Sequence, residues 1–352
     1  MLRKIFFFPF SLIYLSVTTL RNFLFNRKIN RSIEFDFPII GIGNLSIGGS
    51  GKTPLVEFIL RLTREFYSAG VLSRGYGRRT TGFHTVTEND SASKSGDEPF
   101  QLKNNFPEAH VCVCEDRALA VPQMLDEKNL DLIIMDDAFQ HRWVKPGLNI
   151  LVSDFNVPFF SDMILPSGNL RESRCNYHRA DVIVFSRCEN FPNDKIRKKY
   201  LSKIPKVDSS KVFFTSLEYG TPYSVLKNKE EKKNFSEIKK VILVCGIAKP
   251  KYIEDYLKKS GIQFESFLFG DHHSFSHNQV ERIIAAYKNL NDTSAVILTT
   301  EKDAMRLMKF REDSELLREK LFALPMKMKF EEEEEKKFSK IIFDFVKSFK
   351  ND

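Results

Sequence analysis

The chain of 352 residues has 42% hydrophobic and 28% charged side chains, which fits a globular protein and excludes a disordered, collagen-like or polytopic membrane chain. Its net charge of +8 comes from 54 basic and 46 acidic residues. Six of the basic ones (Arg3, Lys4, Arg21, Arg27, Lys28, Arg31) lie in the first 33 residues, which hold no acid, so 48 face 46 elsewhere and no nucleic-acid surface is expected.

The first element is the uncharged stretch Ile5 to Leu20, IFFFPFSLIYLSVTTL. A membrane span needs about 20 apolar residues, and a secretory signal needs small residues at a cleavage site. Pro9 interrupts this segment, and Ser11, Ser16, Thr18 and Thr19 dilute it. The pattern predicts a helix lying in one leaflet with its cationic flanks at the headgroups, making residues 1–33 a membrane-associated region. An N-terminal core helix is the alternative.

Short runs rich in Val, Ile and Leu follow, separated by helical spacing. They predict strands at Phe37–Ile42, Ala69–Ser73, His110–Cys114, Asp131–Met135, Asn149–Val152, Asp181–Phe185 and Val212–Thr215. Runs apolar on both faces belong to a mostly parallel sheet flanked by helices, an α/β architecture. Between Leu217 and Lys239 the chain turns polar, with the charged run Lys227 to Lys233. Strands resume at Val241–Cys245, Phe264–Phe269 and Ala295–Thr299, which suggests a main domain over 34–220 and a smaller α/β domain over 221–352. The acid run Glu331 to Glu335 opens a last helix whose apolar face is Phe338, Ile341, Ile342, Phe345, Val346 and Phe349. Five cysteines without a CxxC pair read as reduced, buried thiols in a cytoplasmic body.

The strongest local signal is Pro38 to Pro54, PIIGIGNLSIGGSGKTP. An apolar strand enters a glycine-rich loop, Ser46, Ile47, Gly48, Gly49, Ser50 and Gly51, and then Lys52 and Thr53 open a helix. Backbone amides there cradle a phosphate, Lys52 reaches its outer oxygens, and Thr53 offers a hydroxyl to Mg²⁺. Ser46 stands where the P-loop pattern has Gly. The fold class is therefore P-loop NTPase-like, and Asp136 and Asp137 at the end of a strand supply the acid that a nucleotide-bound metal needs.

Phosphoryl transfer needs in-line positioning, a base for the acceptor's proton, and cations for the phosphate charge. Candidate bases are Asp97 and Glu98 in the turn Ser95 to Pro99, and Asp271, His272 and His273 after a strand of the second unit. Candidate cations are Arg74, Arg117 and Arg171.

Taken together, GNLSIGGSGKTP, LSRGYGRR, SGDEPFQL, DDAFQHR, LPSGNLRE, CGIAKP, FGDHHSF and TTEKDAMR resemble the tetraacyldisaccharide 4′-kinases of lipid A biosynthesis. Ala138 and Asn169 depart from the family's usual Gly and Pro. The resemblance implies ATP- and Mg²⁺-dependent phosphorylation of the 4′-hydroxyl of a tetraacyldisaccharide 1-phosphate at the cytoplasmic face of the bacterial inner membrane. The protein would be peripheral or monotopic and would need no obligate protein partner. The resemblance also implies that Asp97 is the base paired with His272, with Lys52 and Arg171 joining them in catalysis. Glu98, Asp136, Asp137 and Thr53 are then expected around the metal, and Arg74, Arg117, Gln140 and His141 around phosphates or sugar. A P-loop GTPase or metallochaperone is the competing class, and its Asn-Lys-x-Asp reader has only Thr300-Glu301-Lys302-Asp303 as a counterpart. A membrane-tethered regulator without catalysis is a third.

Overall fold

A computed structural model describes residues 6–226 and 230–349, so Arg3, Lys4, Ile5 and positions 227–229 of the charged run lie outside the described residues. The strands are β1 (Ile39–Gly43), β2 (Ala69–Ser73), β3 (His84–Thr85), β4 (His110–Val113), β5 (Leu132–Met135), β6 (Leu148–Asp154) and β7 (Val182–Ser186). They continue with β8 (Val212–Tyr219), β9 (Tyr223–Ser224), β10 (Lys240–Cys245), β11 (Gln263–Leu268), β12 (Val296–Thr300), β13 (Leu321–Leu324) and β14 (Met326–Phe330). One sheet has nine strands in the order β14-β8-β7-β6-β1-β5-β2-β4-β3, and the other has five in the order β11-β10-β12-β13-β9.

Strands β8, β7, β6, β1, β5, β2 and β4 run parallel, and β14 and β3 close the two edges antiparallel. Every residue of β1, β2, β5 and β7 is buried, as an α/β sheet covered on both faces requires. β1 lies between β5 and β6, so the C-terminal ends of three neighbouring parallel strands open at one crevice.

The helix Lys52–Thr63 buries Leu55, Val56, Phe58, Ile59 and Leu60 against this sheet. The helix Glu332–Ser348 covers the same face with Phe338, Ile342 and Val346, as its apolar spacing predicts. The Phe338 ring lies 4.9 Å from Phe330, 5.3 Å from Phe213 and 5.9 Å from Phe58. Each such side chain contributes about 1.5–3 kcal/mol on burial.

This packing divides the chain differently from the expected scheme. The smaller unit was expected to run through 221–352, whereas β14 pairs with β8 in the nine-stranded sheet and the final helix packs on that sheet's core. The second sheet is thus contained within a chain segment that leaves the first sheet after β8 and returns at β14.

The helix Phe8–Asn26 begins with Pro9 in its first turn, where the missing N–H costs nothing, so Pro9 opens the helix instead of breaking it. Its polar side faces the protein. Ser11 Oγ donates to Ser167 Oγ at 2.8 Å, Tyr14 Oη to the Arg171 carbonyl at 2.9 Å, and Asn22 Nδ2 to Glu172 at 2.9 Å. Phe10, Leu12, Ile13, Val17, Leu20 and Phe23 point outward and are exposed. Ser16 and Thr18 satisfy their hydroxyls on the carbonyls of Leu12 and Tyr14, which hides their polarity within the helix. Among the described residues no helix is long and apolar enough to cross a membrane.

Candidate active site

The glycine loop leaves β1 at the crevice. Ser46 forms an antiparallel bridge with Leu170, and Ile47 N donates to the Asn169 carbonyl at 2.8 Å. Position 46 therefore extends a strand-like pairing that a serine adopts without strain, while the left-handed turns fall at Gly48 (φ 89°) and Gly51 (φ 90°). A Cβ on Gly51 would lie 2.9 Å from Ser186 Oγ, and that hydroxyl donates to the Ser50 carbonyl at 2.6 Å. Gly51 caps the helix Lys52–Thr63, so the helix N-terminus and the loop amides share one concavity. Gly49 gives its carbonyl to Arg187, which also pairs with Asp154 at 3.0 Å. Lys249 reaches the same Asp154 carboxylate at 2.6 Å from the CGIAKP stretch of the second unit.

Asp136 and Asp137 follow β5, the neighbour of β1. Asp137 sits at φ 49°, and Lys52 Nζ and Arg171 Nη1 hold its carboxylate at 3.3 and 2.8 Å. Burial raises its pKa, but Lys52 and Arg171 outweigh that and hold it well below the usual carboxylate range. Burial pushes Asp136 up to about 6; Lys52 offsets part of this, and the charges of Asp137 and Glu98 add to it. Asp136 Oδ1 is buried with no hydrogen-bond partner among the described residues, the kind of acceptor that a cation or its water shell satisfies. This carboxylate pair fits a divalent ion.

Arg117, expected at a phosphate, is instead 2% exposed, and it donates to the Asp136 and Asp137 carbonyls at 2.6 and 3.1 Å. It holds the acidic turn from beneath. Gln140 is likewise engaged: its Nε2 donates to the Asn44 carbonyl and to Glu172, and its Oε1 accepts from Arg171. His141 is half-buried, its Nδ1 has no hydrogen-bond partner among the described residues, and burial and then Arg117 push its pKa down to about 4. Arg74 is exposed directly after β2. Thr53 is half-buried beside Lys52.

The Asp97–Glu98 turn opens the helix Asp97–Asn105 behind Gly96. It meets the second unit. Asp97 Oδ2 receives His272 Nδ1 at 3.1 Å, Arg306 Nε at 2.9 Å, and Arg306 Nη2 in a shorter contact. Burial raises the Asp97 pKa, and bonds from His272 and Arg306 outweigh that and lower it. Lys302 Nζ lies 3.0 Å from His272 Nε2 and 2.8 Å from Glu98. An ammonium only donates, so Nε2 accepts and Nδ1 carries the proton given to Asp97. His272 itself sits at φ 58° with Tyr76 edge-on at 4.9 Å. His273 instead bonds Gln279 at 2.9 Å.

Ligand atoms of Asp97, Glu98 and His272 lie within 4.8 Å of one another, although Lys302 already pairs with Glu98. A second such group, His110, Cys112 and Glu127, begins at the opposite end of β4 from Arg117.

The profile of the family described as tetraacyldisaccharide-1-P 4′-kinase matches residues 3–346. This chain belongs to that kinase family. A tetraacyldisaccharide 4′-kinase of Flavobacterium johnsoniae is 40% identical over 333 residues, covering 94% of this chain and 93% of that one. The tetraacyldisaccharide 4′-kinase of Bacteroides thetaiotaomicron is 37% identical, covering 97% and 92%. The fold matches Aquifex aeolicus LpxK, crystallised as its "apo" form in complex with ATP, with a TM-score of 0.75 at 27% identity over 98% of this chain and all of that one. Arg187, Lys249, Lys302 and Arg306 make contacts that were not read from the sequence. CGIAKP and TTEKDAMR contain three of them, but only folding brings those stretches to the loop and to Asp97.

Proposed function

We propose that the protein transfers the γ-phosphoryl group of ATP to the 4′-hydroxyl of a tetraacyldisaccharide 1-phosphate, using Asp97 as the base. The observation carrying this reading is that Asp97, opening a helix of the first unit, and His272, in the loop after β11 of the second, meet at 3.1 Å beside a phosphate loop whose lysine pairs with Asp137. The loop amides and Lys52 hold the outer phosphates, and Arg171 and Arg74 supply further positive charge. The acceptor oxygen bonds to the γ-phosphorus as the bond to the bridging oxygen of ADP breaks, and its proton passes to Asp97. In a loose transition state that proton leaves late, so a carboxylate of lowered pKa suffices. Thr53, Asp136 and Asp137, with Glu98 nearby, would hold Mg²⁺, which when bound offsets charge on the phosphate oxygens. Gln140 and His141 support the loop after β5 and line the acceptor's approach.

The Thr300–Asp303 stretch supports ATP over GTP. Asp303 is fully buried and bonded to Gly246 N, Thr300 Oγ1 and Arg306, which leaves no edge for a guanine. The outward apolar face of the N-terminal helix supports a peripheral or monotopic seat on the cytoplasmic face of the inner membrane, where an acceptor with four acyl chains resides.

The test is incubation with labelled ATP and the disaccharide 1-phosphate in detergent micelles. Label is expected at the 4′ position, and Lys52→Ala should reduce it by about a thousandfold. Absence of transfer by the unaltered protein would overturn the reading.

A further inference from the structure

Arg306 lies on the helix Glu301–Leu307 of the second unit, yet its guanidinium ends on a carboxylate of the first. Its side chain is 7% exposed and four contacts fix it: Nε and Nη2 on Asp97 Oδ2, and Nη1 on Asp303 Oδ1 at 2.8 Å and the Gly246 carbonyl at 3.0 Å. Asp303 is in turn held by Gly246 N at 2.9 Å and Thr300 Oγ1 at 2.8 Å. The approach leaves no room at Gly246, where a Cβ would lie 2.9 Å from Asp303 Oδ1.

The arrangement at Asp97 is asymmetric. Both Arg306 donors and the His272 Nδ1 proton converge on Oδ2, and among the described residues no donor is recorded on Oδ1. We propose that Arg306 is a positioning residue for phosphoryl transfer: it clamps one oxygen of Asp97 and so presents the other to the acceptor hydroxyl. This rests on the kinase reading and adds to it a residue that touches neither ATP nor acceptor.

Two physical consequences follow from a guanidinium in this place. A carboxylate facing a triphosphate repels it, and a buried cation on its far oxygen offsets that charge without occupying the oxygen that accepts the proton. The planar fork also fixes the carboxylate's rotation, which a lysine's single ammonium does not. Because Asp97 and Arg306 lie on helices of different units, the base is oriented only while the second unit is seated.

The experiment compares Arg306→Ala, Arg306→Lys and Asp97→Ala with the unaltered protein, reading kcat, KM for the acceptor, and ATP affinity by calorimetry. Arg306→Ala is expected to lower kcat by about a hundredfold. ATP affinity should stay within about threefold, because the four contacts of Arg306 go to Asp97, Asp303 and Gly246 and none to the glycine loop. Millimolar guanidinium should restore part of the Arg306→Ala turnover and none of the Asp97→Ala turnover, and Arg306→Lys should fall between. A merely structural arginine would not give that rescue pattern. The inference is overturned if Arg306→Ala keeps its kcat, if its loss lies entirely in ATP affinity, or if guanidinium helps neither arginine variant. Should Arg306→Ala not fold, Arg306→Lys carries the test, since unchanged kcat there removes the need for a fork. If the unaltered protein transfers no phosphate, the kinase reading fails; if it does and the arginine variants match it, only this inference fails.

Discussion

Asp136 and Asp137 are adjacent, yet their surroundings push their protons in opposite directions. Burial, with the charges of Asp137 and Glu98, pushes Asp136 up to about 6 against the pull of Lys52, while Lys52 and Arg171 hold Asp137 well below the usual carboxylate range. Two neighbouring carboxylates of different strength suit the proposed cation site, in which Asp137 holds Lys52 and Asp136 keeps an unpartnered acceptor among the described residues. Asp137→Asn removes the anchor of both cations, and kcat is expected to fall by about a hundredfold in the micelle assay. Near-normal turnover would show that Asp137 is only a turn residue. Asp97→Ala and His272→Ala should each cost turnover, and the double variant should cost less than their product; full multiplication would mean the two act independently. Both members of that pair were legible in the sequence, because the GDEP and GDHH stretches carry the family resemblance. Arg117 was legible only as a cation, since nothing in its spacing says that its guanidinium lies under the acidic turn. Arg306 stayed hidden because its meaning depends on a contact across 209 positions of chain.

Three helices bear Lys52, Asp97 and Arg306, and they share a buried polar junction. Glu57 on the P-loop helix and Glu301 at the start of the Arg306 helix both accept from Asn105 Nδ2, each at 3.1 Å. Asn105 ends the helix that begins with Asp97, while Gln101, Arg61 and Tyr223 give further bonds. Burial is the leading cause that raises both carboxyls, so the folded protein favours their protonated forms. Their contribution to stability is complete below the ordinary glutamate range and is lost as pH rises through the raised values. Each tenfold gain in a carboxyl's proton affinity on folding is worth about 1.4 kcal/mol. Thermal midpoints should therefore fall between about pH 5 and 8, and Glu301→Gln should flatten that slope; parallel slopes would disprove the linkage. The ten strands predicted from apolar runs all formed, Ala69–Ser73 with both ends as expected and the others displaced by one to four residues at one or both ends. Strand β14 escaped because the predicted strands are runs apolar on both faces, whereas MKMKF alternates lysine with apolar residues as an edge strand does, and β13 because its four residues follow directly on a helix and show little periodicity.

Over the molecule as a whole, polarity is arranged so that one helix turns its apolar side away from the protein. That side carries Phe10, Ile13, Val17 and Leu20, and arginines flank it. Changing Ile13, Val17 and Leu20 together to Asp should release the protein from anionic vesicles in a sedimentation assay while ATP affinity stays unchanged. Continued co-sedimentation would refute a membrane role for this face. A helix over the uncharged run was legible in the sequence. The docking of the polar side on Ser167, Arg171 and Glu172 was not, because those partners lie far along the chain.

The return of β14 to the first sheet bears on how the protein is made. Phe58 and Phe213 are covered by Phe330 and Phe338, which leave the ribosome only after β13 of the second sheet. Until then the catalytic sheet has an open greasy flank, whereas the five-stranded unit already has most of its sequence. The nascent polypeptide thus completes its inner, later-encoded unit before its outer one, and a premature stop anywhere upstream of Met326 leaves the phosphate loop on a half-covered sheet.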